Sequence, residues 1–382
     1  MTVLAIVFWA SVAAVVYPYA IYPALEWLLG LVRPRPIRRA PQEPLVTVLI
    51  PAYNEVEVIG DTVANKLAQD YPQDKLQILV ISDGSDDGTD DVVKSFADRG
   101  VELLRRGPRE GKAAALNEAV TKARGEFVVF SDANSIFGPD TIRRLIENFA
   151  DPRIGYVTGN LSFVTRAGSV SGGGNNAYMK YENLVRSIET RAGSIIGVNG
   201  GCDAIRRNLY VDIPRQLITD FILPLHVIST GHRVVYDERA TASEVANKEV
   251  ASEFRMRVRV ALRALQGLVY MRRLLNPFSY PGPAFSLWSH KVLRYGAFVF
   301  MPLALVLNGV LATASPLYLA LFALHVFVYV LALLGLLKNL PGVLRKLTVV
   351  PTYFFLSNIA FAFAAVKFLR GESMATWQPR AG

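Results

Sequence analysis

The sequence reads VTVLIPAYNE at residues 46–55 and LQILVISDGSDDGT at residues 76–89, and these two stretches decide the fold. Each begins with a short run rich in Val, Ile and Leu and ends in polar, turn-forming residues. Such runs, followed by helical periodicity, predict buried strands of a parallel α/β sheet. Because ligands bind beyond the carboxyl ends of such strands, we expect one crevice to collect Tyr53, Asn54, Glu55, Asp83, Ser85 and Asp86. Acidic and amide groups there suit the base and ribose of a nucleotide.

The alternation of strand and helix continues after these stretches. Apolar runs predict strands at Val46–Pro51, Leu76–Ser82, Val101–Arg105 and Glu126–Ser131. Amphipathic stretches predict helices at Glu57–Gln69, Thr89–Arg99 and Lys112–Arg124. The repetition indicates a mostly parallel sheet with helices on both faces. Beyond Asp151 we expect a flexible loop at Gly168–Gly174, a helix at Asn175–Arg191 and a tight backbone site at Gly197–Gly201.

The composition is that of a membrane protein. Of the 382 residues, 52% are hydrophobic and 19% are charged, and the mean hydropathy is +0.28, which is too apolar for an ordinary soluble chain. The formal net charge of +9 could indicate a nucleic-acid binder. The basic excess clusters beside apolar segments without interleaved aromatics, so we do not expect nucleic acid as a partner. The single cysteine, Cys202, excludes an intrachain disulfide and a cysteine-based zinc site.

Four apolar segments are long enough to be candidate membrane spans: Leu4–Val32, Tyr295–Ala314, Pro316–Leu337 and Leu347–Phe368. Basic residues follow the first segment at positions 33, 35, 38 and 39, so the next domain is expected in the cytoplasm. Lys338, Arg345 and Lys346 are expected in a loop on the same side, which leaves the C-terminal tail outside. A re-entrant segment would instead return the tail to the cytoplasm.

A basic amphipathic helix is predicted at Glu253–Arg273, where arginines alternate with Val, Leu, Met and Ala. Such a helix usually lies in the membrane interface, and the alternative is a solvated helix face. The predicted division is therefore a span and proline-rich linker at 1–44, an α/β domain at 45–245, basic interfacial helices at 246–290, and a membrane bundle with a tail at 291–382.

A candidate metal motif, SDAN, occupies residues 131–134 at the end of the buried-type run EFVVF. An acid followed two residues later by Asn134 offers the oxygen ligands that Mg²⁺ or Mn²⁺ prefers beside a diphosphate. The alternative is that Asp132 only caps the helix that starts near Pro139.

Five motifs occur in the order seen in family 2 glycosyltransferases. They are PAYNE at 51–55, SDGSDDGT at 82–89, GKAAALN at 111–117, SDAN at 131–134 and ITDF at 218–221. From Val46 to about Gly267 the chain resembles the membrane-integrated synthase branch, which includes cellulose, hyaluronan, chitin-oligosaccharide and poly-N-acetylglucosamine synthases. The resemblance implies a GT-A fold, Rossmann-like with a mostly parallel sheet, and inverting, metal-dependent transfer from a nucleotide sugar.

The resemblance also implies roles for residues on the donor side. Pro51, Tyr53 and Glu55 would line the nucleotide pocket. Asp83 would contact the base or ribose, and Lys112, at the start of a helix, would approach the diphosphate. Asp132 would be the acid of the site for Mg²⁺ or Mn²⁺, where Asn134 replaces the family's second acid and lowers the charge of the site.

The catalytic residue implied by the resemblance is Asp220 in ITDF. An inverting transfer needs one base to take the proton of the acceptor hydroxyl, and a single carboxylate is enough because no covalent sugar–enzyme intermediate forms. The alternative for Asp220 is a helix N-cap for Phe221–Thr230, and both roles are compatible.

NGGCDAIRR at 199–207 resembles the family's acceptor-side segment, where Gly200 and Gly201 let a sugar approach the backbone and Cys202 is expected to pack. Tyr178, Tyr181 and Glu182 are further acceptor-side candidates.

The QxxRW motif of processive synthases is absent. EFRMRVR at 253–259 stands in its place, where Arg257 or Arg259 would bind the diphosphate. Trp377 could replace the missing Trp only if the tail were cytoplasmic.

The leading hypothesis is a multi-pass inner-membrane glycosyltransferase that uses a UDP-sugar and a divalent metal to extend a β-linked, exported polysaccharide. Its partners are then the donor, the growing glycan and membrane lipids. The first alternative, favoured by the missing QxxRW, transfers one sugar to a lipid acceptor. A transporter or non-catalytic scaffold is disfavoured, because the predicted spans hold almost no ionisable residue apart from His325.

Overall fold

The α/β domain is built around one eight-stranded sheet. The computed structural model describes residues 1–164, 170–245, 250–337 and 340–373. The strands are β1 (Val46–Ala52), β2 (Leu76–Asp83), β3 (Val101–Arg106), β4 (Phe127–Phe130), β5 (Ile136–Phe137), β6 (Ile154–Val164), β7 (Asp203–Arg206) and β8 (Arg233–Val245). Their order in the sheet is β3-β2-β1-β4-β7-β6-β8-β5. All four predicted strands are therefore present.

Most neighbouring strands of the sheet are parallel. Val48 of β1 pairs with Ile78 of β2 and with Val129 of β4 in parallel register. β3 continues the parallel set beside β2, and β6 and β8 are parallel to each other. β7 is antiparallel to both β4 and β6, and β5 is antiparallel to β8. The carboxyl ends of β1, β2 and β4 consequently meet at one edge, as the sequence predicts.

Fourteen α-helices are found in the described ranges. The helices that precede β6 in the chain are α1 (Thr2–Val16), α2 (Tyr22–Val32), α3 (Ile59–Leu67), α4 (Thr89–Lys94), α5 (Lys112–Lys122) and α6 (Thr141–Glu147). The helices that follow β6 are α7 (Val170–Ala192), α8 (Thr219–Ser229), α9 (Val250–Tyr270), α10 (Pro281–Leu287), α11 (Leu293–Tyr295), α12 (Ala297–Leu311), α13 (Pro316–Leu334) and α14 (Gly342–Leu369). A π-helical turn, Tyr17–Ile21, joins α1 to α2.

Each face of the sheet has its own hydrophobic core. Successive side chains of a strand point to opposite faces. Val48 and Ile50 accordingly pack with α3 and α6 on one side, whereas Leu49 packs with α5 and α8 on the other. The first core includes Val63 and Leu145, and the second includes Leu116 and Ile222 among its members. The second core therefore holds α5 and α8 against the same face of the sheet.

The expectation of a loop at Gly168–Gly174 is wrong from Val170 onward, because α7 begins there. Residues 165–169 lie outside the described ranges. Packing of α7 between α2 and α14 explains a helix in spite of the glycines, since tertiary contacts override weak helix propensity.

Within the described ranges, three helices are long and apolar enough to cross a membrane: Thr2–Val32, Pro316–Leu334 and Gly342–Leu369. The segment expected at Tyr295–Ala314 is not one straight span. Pro281–Tyr295 and Ala297–Leu311 meet at a bend of 58° and make a fourth span only if the pair is counted as one. Arg345 and Lys346 lie inside α14 rather than in a loop, because that helix begins at Gly342. Lys338 and Trp377 lie outside the described residues.

Candidate active site

The two loops that follow β1 and β2 are hydrogen-bonded to each other at the edge of the sheet. The backbone N–H of Asn54 donates to Ser85 Oγ at 3.1 Å, and the Asn54 side-chain amide donates to Asp86 Oδ1 at 2.8 Å. The N–H of Glu55 donates to Thr89 Oγ1 at 2.9 Å. Asn54 has a φ of 52°, a left-handed conformation that asparagine tolerates well. The crevice predicted from the sequence is thus a single connected wall, with the buried Pro51 at its base.

Asp83 is buried at the end of β2 and holds the segment that leads into α5. Its carboxylate accepts hydrogen bonds from the N–H of Glu110 at 3.1 Å and of Gly111 at 2.6 Å. Arg106 Nη1 lies 3.4 Å from the same carboxylate. Since Lys112 follows Gly111 directly, Asp83 sets where α5 begins and where the Lys112 side chain enters the site.

Arg109 was not predicted, and it lies on the wall formed by the loops after β1 and β2, where it stacks on Tyr53. Its guanidinium carbon is 3.5 Å from the centre of the Tyr53 ring. Nε and Nη2 of Arg109 are buried and have no hydrogen-bond partner in the described part of the chain. A stacked guanidinium with two unpartnered nitrogens, Nε and Nη2, can donate to phosphate or carbonyl oxygens of a nucleotide. The available sequence signal was a basic residue between the second and third motifs.

Lys112 connects the metal motif to the catalytic candidate. Its ammonium lies 2.6 Å from Asp132 Oδ1 and 3.8 Å from Asp220 Oδ2. Burial lowers the pKa of Lys112, but Asp132 and Asp220 outweigh this effect and the pKa is raised. Lys112 is therefore a cation at neutral pH, and it brings the third, fourth and fifth motifs to one point.

Gly200 and Gly201 lie against the two acids, with φ values of +73° and +75°. A Cβ at Gly200 would overlap the carboxylate of Asp220. A Cβ at Gly201 would lie 2.9 Å from Glu244 Oε1 and 3.5 Å from Asp132 Oδ2. Only glycine fits here, because both the backbone conformation and the space exclude a side chain. This confirms the tight backbone site at Gly197–Gly201 for its last two residues.

Glu244 is a second residue that the sequence did not single out. It is 3% exposed near the end of β8, and Ser135 of the SDAN turn donates its hydroxyl hydrogen bond to Glu244 Oε1. The pairing of β5 with β8, Ile136 against Ser243, brings Glu244 beside that turn. The pairing is long-range and follows no motif, so only the structure reveals it.

The residues around SDAN fit a hard divalent cation. Asp132 offers a carboxylate that is 34% exposed, and Asn134 is half-buried in the same turn. Carboxylate and amide oxygens completed by phosphate oxygens are the usual ligands of Mg²⁺ and Mn²⁺. Among the described residues, no group of three or more His, Cys, Asp or Glu side chains forms a ready-made metal site. A metal would therefore need the donor's own oxygens.

Asp203, in the strand that follows Gly200 and Gly201, is a buried acid beneath Asp220. It accepts a hydrogen bond from Tyr156 Oη at 3.0 Å. Burial, with the neighbouring charge of Asp220, raises the pKa of Asp203 to about 7. Asp203 therefore carries less negative charge near neutral pH than an exposed aspartate would, which reduces its repulsion of the Asp220 carboxylate.

Four predicted site residues make contacts outside this cluster. Tyr181 donates to the carbonyl of Tyr19 at 2.9 Å, and Glu182 is paired with Arg294 at 2.6 Å. Arg257 donates to Ser357 Oγ of α14 at 2.7 Å, while Cys202 is buried in the first core. Arg259 lies half-buried on α9. Asp220 is in the first turn of α8, whose N-cap position is Ile218, so the N-cap interpretation of Asp220 is wrong.

Lys66 lies behind the SDAN turn and is fully buried. Its ammonium donates to the carbonyl of Ser135 at 2.6 Å and lies 3.8 Å from the centre of the Phe137 ring. Burial lowers the pKa of Lys66 from 10.5 to about 7, although Cys202 and Glu244 oppose this. The lysine thus supports the metal motif from below without being part of the site.

The stability of the protein is expected to rise with pH relative to a Lys66→Met variant. Between about pH 7 and 10.5 the unfolded chain binds a proton at Lys66 that the folded chain does not, so low pH favours unfolding. Melting temperatures of both proteins at pH 7 and pH 10 measure this. The melting temperature of wild type, relative to that of the variant, should be higher at pH 10 than at pH 7. An unchanged difference between the two proteins would contradict the buried, weakly basic lysine.

Comparisons with known proteins give the following matches. Residues 47–212 match the family described as Glycosyl transferase family 2. Poly-beta-1,6-N-acetyl-D-glucosamine synthase of Staphylococcus aureus (strain COL) is 30% identical over 230 residues, which are 56% of this chain and 53% of that protein. The Staphylococcus epidermidis protein of the same name is 25% identical over 263 residues, 64% of this chain and 63% of the relative. The chain thus spans about half the length of the first of these relatives.

A solved structure is similar along nearly the whole chain. It is the mannosyltransferase PcManGT from Pyrobaculum calidifontis, in complex with GDP-Man and Mn²⁺. It is 26% identical and covers 97% of this chain and 99% of its own, with a TM-score of 0.73. The similarity includes the helices that follow the sheet domain, and it confirms the GT-A fold. Residues 47–212 thus match the Glycosyl transferase family 2 model, the family that the motifs resemble.

Proposed function

We propose that the protein is a membrane-bound, inverting glycosyltransferase that moves a sugar from a nucleotide-sugar donor to an acceptor hydroxyl. The observation that carries the proposal is the Lys112 ammonium, which lies between Asp132 and Asp220 at 2.6 and 3.8 Å. Such an arrangement joins a diphosphate-binding turn to a carboxylate that faces the glycine pair. Donor and acceptor would therefore meet at Lys112.

The donor is bound by the two interlocked loops and by Arg109. Tyr53 and the stacked Arg109 guanidinium give a face and two N–H donors for the nucleotide. Lys112, at the start of α5, turns its ammonium toward the diphosphate when the donor enters. Asp132 and Asn134 would hold Mg²⁺ or Mn²⁺, which supplies charge stabilisation to the leaving nucleoside diphosphate.

Asp220 is the base of the proposed reaction. The absence of a side chain at Gly200 makes room for the Asp220 carboxylate, and that carboxylate is 26% exposed, so an acceptor hydroxyl can reach it. The hydroxyl oxygen forms the bond to the anomeric carbon, the bond from that carbon to the diphosphate oxygen breaks, and Asp220 takes the proton. Lys112 remains the cation nearest to the negative charge that develops on the diphosphate side.

Two products are compatible with these observations: a polysaccharide and a lipid that carries one added sugar. Relatives named poly-beta-1,6-N-acetyl-D-glucosamine synthases, 30% identical over 230 residues, support repeated addition to a polysaccharide. The motif resemblance supports a UDP-sugar as the donor. The whole-chain similarity to a structure that contains GDP-Man supports another donor. Arg257 donates its hydrogen bond to Ser357 of α14. This contact, together with the missing QxxRW motif, supports a single transfer to a lipid acceptor.

We further propose that the sheet domain and the basic helix α9 lie on the cytoplasmic side of an inner membrane. Basic residues after the first candidate span support this orientation. The boundaries at residues 44, 245 and 290 remain predictions of the same kind.

Purified protein in nanodiscs, incubated with a panel of UDP- and GDP-sugars, tests the proposal. We expect release of one nucleoside diphosphate that stops when EDTA removes divalent ions and returns when Mn²⁺ or Mg²⁺ is added. A labelled product that forms a ladder indicates a polymer, and a single lipid-soluble product indicates the lipid acceptor. Absence of release from every donor, with and without metal, contradicts the proposed activity.

A further inference from the structure

The segment that delivers Asp220 to the site is held by a helix outside the sheet domain. Residues 215–217 precede α8, and their three carbonyl oxygens accept hydrogen bonds from one side chain, Arg263 of α9. Arg263 Nε donates to the carbonyl of Gln216 at 3.1 Å, and Nη2 donates to the carbonyls of Arg215 at 3.3 Å and of Leu217. A planar guanidinium can bind three carbonyls at once because its N–H groups diverge in a fixed fork.

The same helix contacts α8 immediately after Asp220. Gly267 lies one turn beyond Arg263, and a Cβ there would lie 2.7 Å from Cδ1 of Phe221 and 3.3 Å from Cδ1 of Ile222. The first distance is too short for any side chain, so the approach of the two helices depends on the glycine. Asp220 is consequently bracketed by α9 contacts on both sides in sequence.

The opposite contacts of α9 are with α14, one of the helices that could cross a membrane. Arg257 donates to Ser357 Oγ, and its guanidinium lies 4.0 Å from the centre of the Tyr353 ring. Val258 and Leu262 pack with small residues of α14 in a separate hydrophobic cluster. α9 is thus the element that touches both the catalytic segment and the candidate membrane bundle.

Arg263 is suited to hold the segment as a cation. Burial lowers its pKa to about 10, with Arg259 adding to the effect and Asp220 opposing it. At neutral pH the guanidinium keeps its charge and all of its donors. Charge-assisted hydrogen bonds are stronger than neutral ones. The three that Arg263 donates therefore hold residues 215–217 more firmly than neutral hydrogen bonds would.

We propose that Arg263 and Gly267 are positioning residues for Asp220, by which α9, packed against the candidate membrane helix α14, holds the segment that carries this carboxylate. Arg263 fixes the carbonyls before Asp220, and Gly267 sets the distance between α9 and the first turn of α8. Neither residue contacts the donor wall formed by the loops after β1 and β2. The inference rests on the proposed function, in which Asp220 is the base.

Arg263→Lys and Arg263→Gln test the first half. A lysine keeps the charge but cannot bind three carbonyls in a fork, so both variants should lose about 10–100-fold in kcat, the cost of a small misplacement of a catalytic group. The KM for donor should change less than twofold. Arg255→Gln, an exposed arginine of the same helix, is the matched control and should keep both values. Equal loss of donor binding, or an unchanged kcat in Arg263→Lys, overturns the proposal.

A suppressor pair tests the second half. Gly267→Ala should push α8 away through Phe221 and lower kcat. The double variant Gly267→Ala/Phe221→Leu removes ring atoms from the clash and should recover most of that loss. Failure of the double variant to recover, while Phe221→Leu alone is active, contradicts the assigned contact.

Hydrogen–deuterium exchange of the peptide that spans 213–225 gives a readout that needs no activity. We expect faster exchange in Arg263→Gln and Gly267→Ala, and exchange close to wild type in the suppressor pair and in Arg255→Gln. Unchanged exchange in both single variants overturns the positioning role even if transfer falls. Wild-type protein that transfers no sugar contradicts the proposed function, while the exchange data still report on the α9 contacts.

Discussion

Asp220→Asn is expected to abolish sugar transfer while nucleotide binding stays within about twofold of wild type. The amide has the shape of the carboxylate but cannot accept the proton of the acceptor hydroxyl, and general-base catalysis contributes about 10²–10⁴-fold to such rates. The Asp220 side chain is 26% exposed, so a substrate hydroxyl can reach it. The nucleotide wall contains Asp83 and Arg109, and neither is touched by the change.

Initial rates of nucleoside diphosphate release and calorimetric titration with the nucleotide measure the two quantities separately. Asp61→Asn, an exposed acid near the start of α3, is the matched control and should keep both. Full activity of the Asp220 variant would remove the residue from the mechanism. Loss of nucleotide binding together with activity would instead assign Asp220 to the donor.

Gly200→Ala is expected to stop transfer for a different reason, which is lack of space. The added methyl group would overlap the Asp220 carboxylate, and the backbone φ of +73° disfavours any residue with a Cβ. The left-handed conformation alone costs about 1–2 kcal/mol in stability. The overlap adds displacement of Asp220 from Lys112, so the catalytic effect should far exceed that of the strain.

Gly231→Ala separates these two effects. Gly231 has a φ of +86°, but a Cβ there meets nothing within 4 Å. Both variants should therefore melt at a lower temperature, and only Gly200→Ala should lose kcat. Equal losses of activity in the two variants would show that backbone strain, and not contact with Asp220, is the cause.

The sequence predicted the elements whose pattern is local. β1 to β4 are short apolar runs followed by helical periodicity, and each was found within two residues of its predicted bounds. β6 and β8 were not predicted, because polar and glycine residues interrupt their apolar runs and their pairing joins distant parts of the chain. Motif order sufficed for Lys112, Asp132 and Asp220 to be expected in one site.

Residues that act through tertiary contacts could not be predicted in this way. Arg109 and Glu244 reach the site from a loop and a strand end that carry no motif. Glu182 was an acceptor-side candidate, but the structure buries it against Arg294, a partner on a different helix. Which side of a helix faces the site depends on packing, and one sequence does not contain that information.

The contact of Lys112 with Asp132 has a consequence for the order in which ligands arrive. Lys112 is a built-in counterion, and it already neutralises the carboxylate that a divalent ion would use. A free ion that enters alone has to compete with this ammonium for a single acid. Under the proposed function, a diphosphate would give the ammonium a new anionic partner and would release Asp132 to the metal. On the same proposal, the metal site would therefore be completed only when the donor is bound.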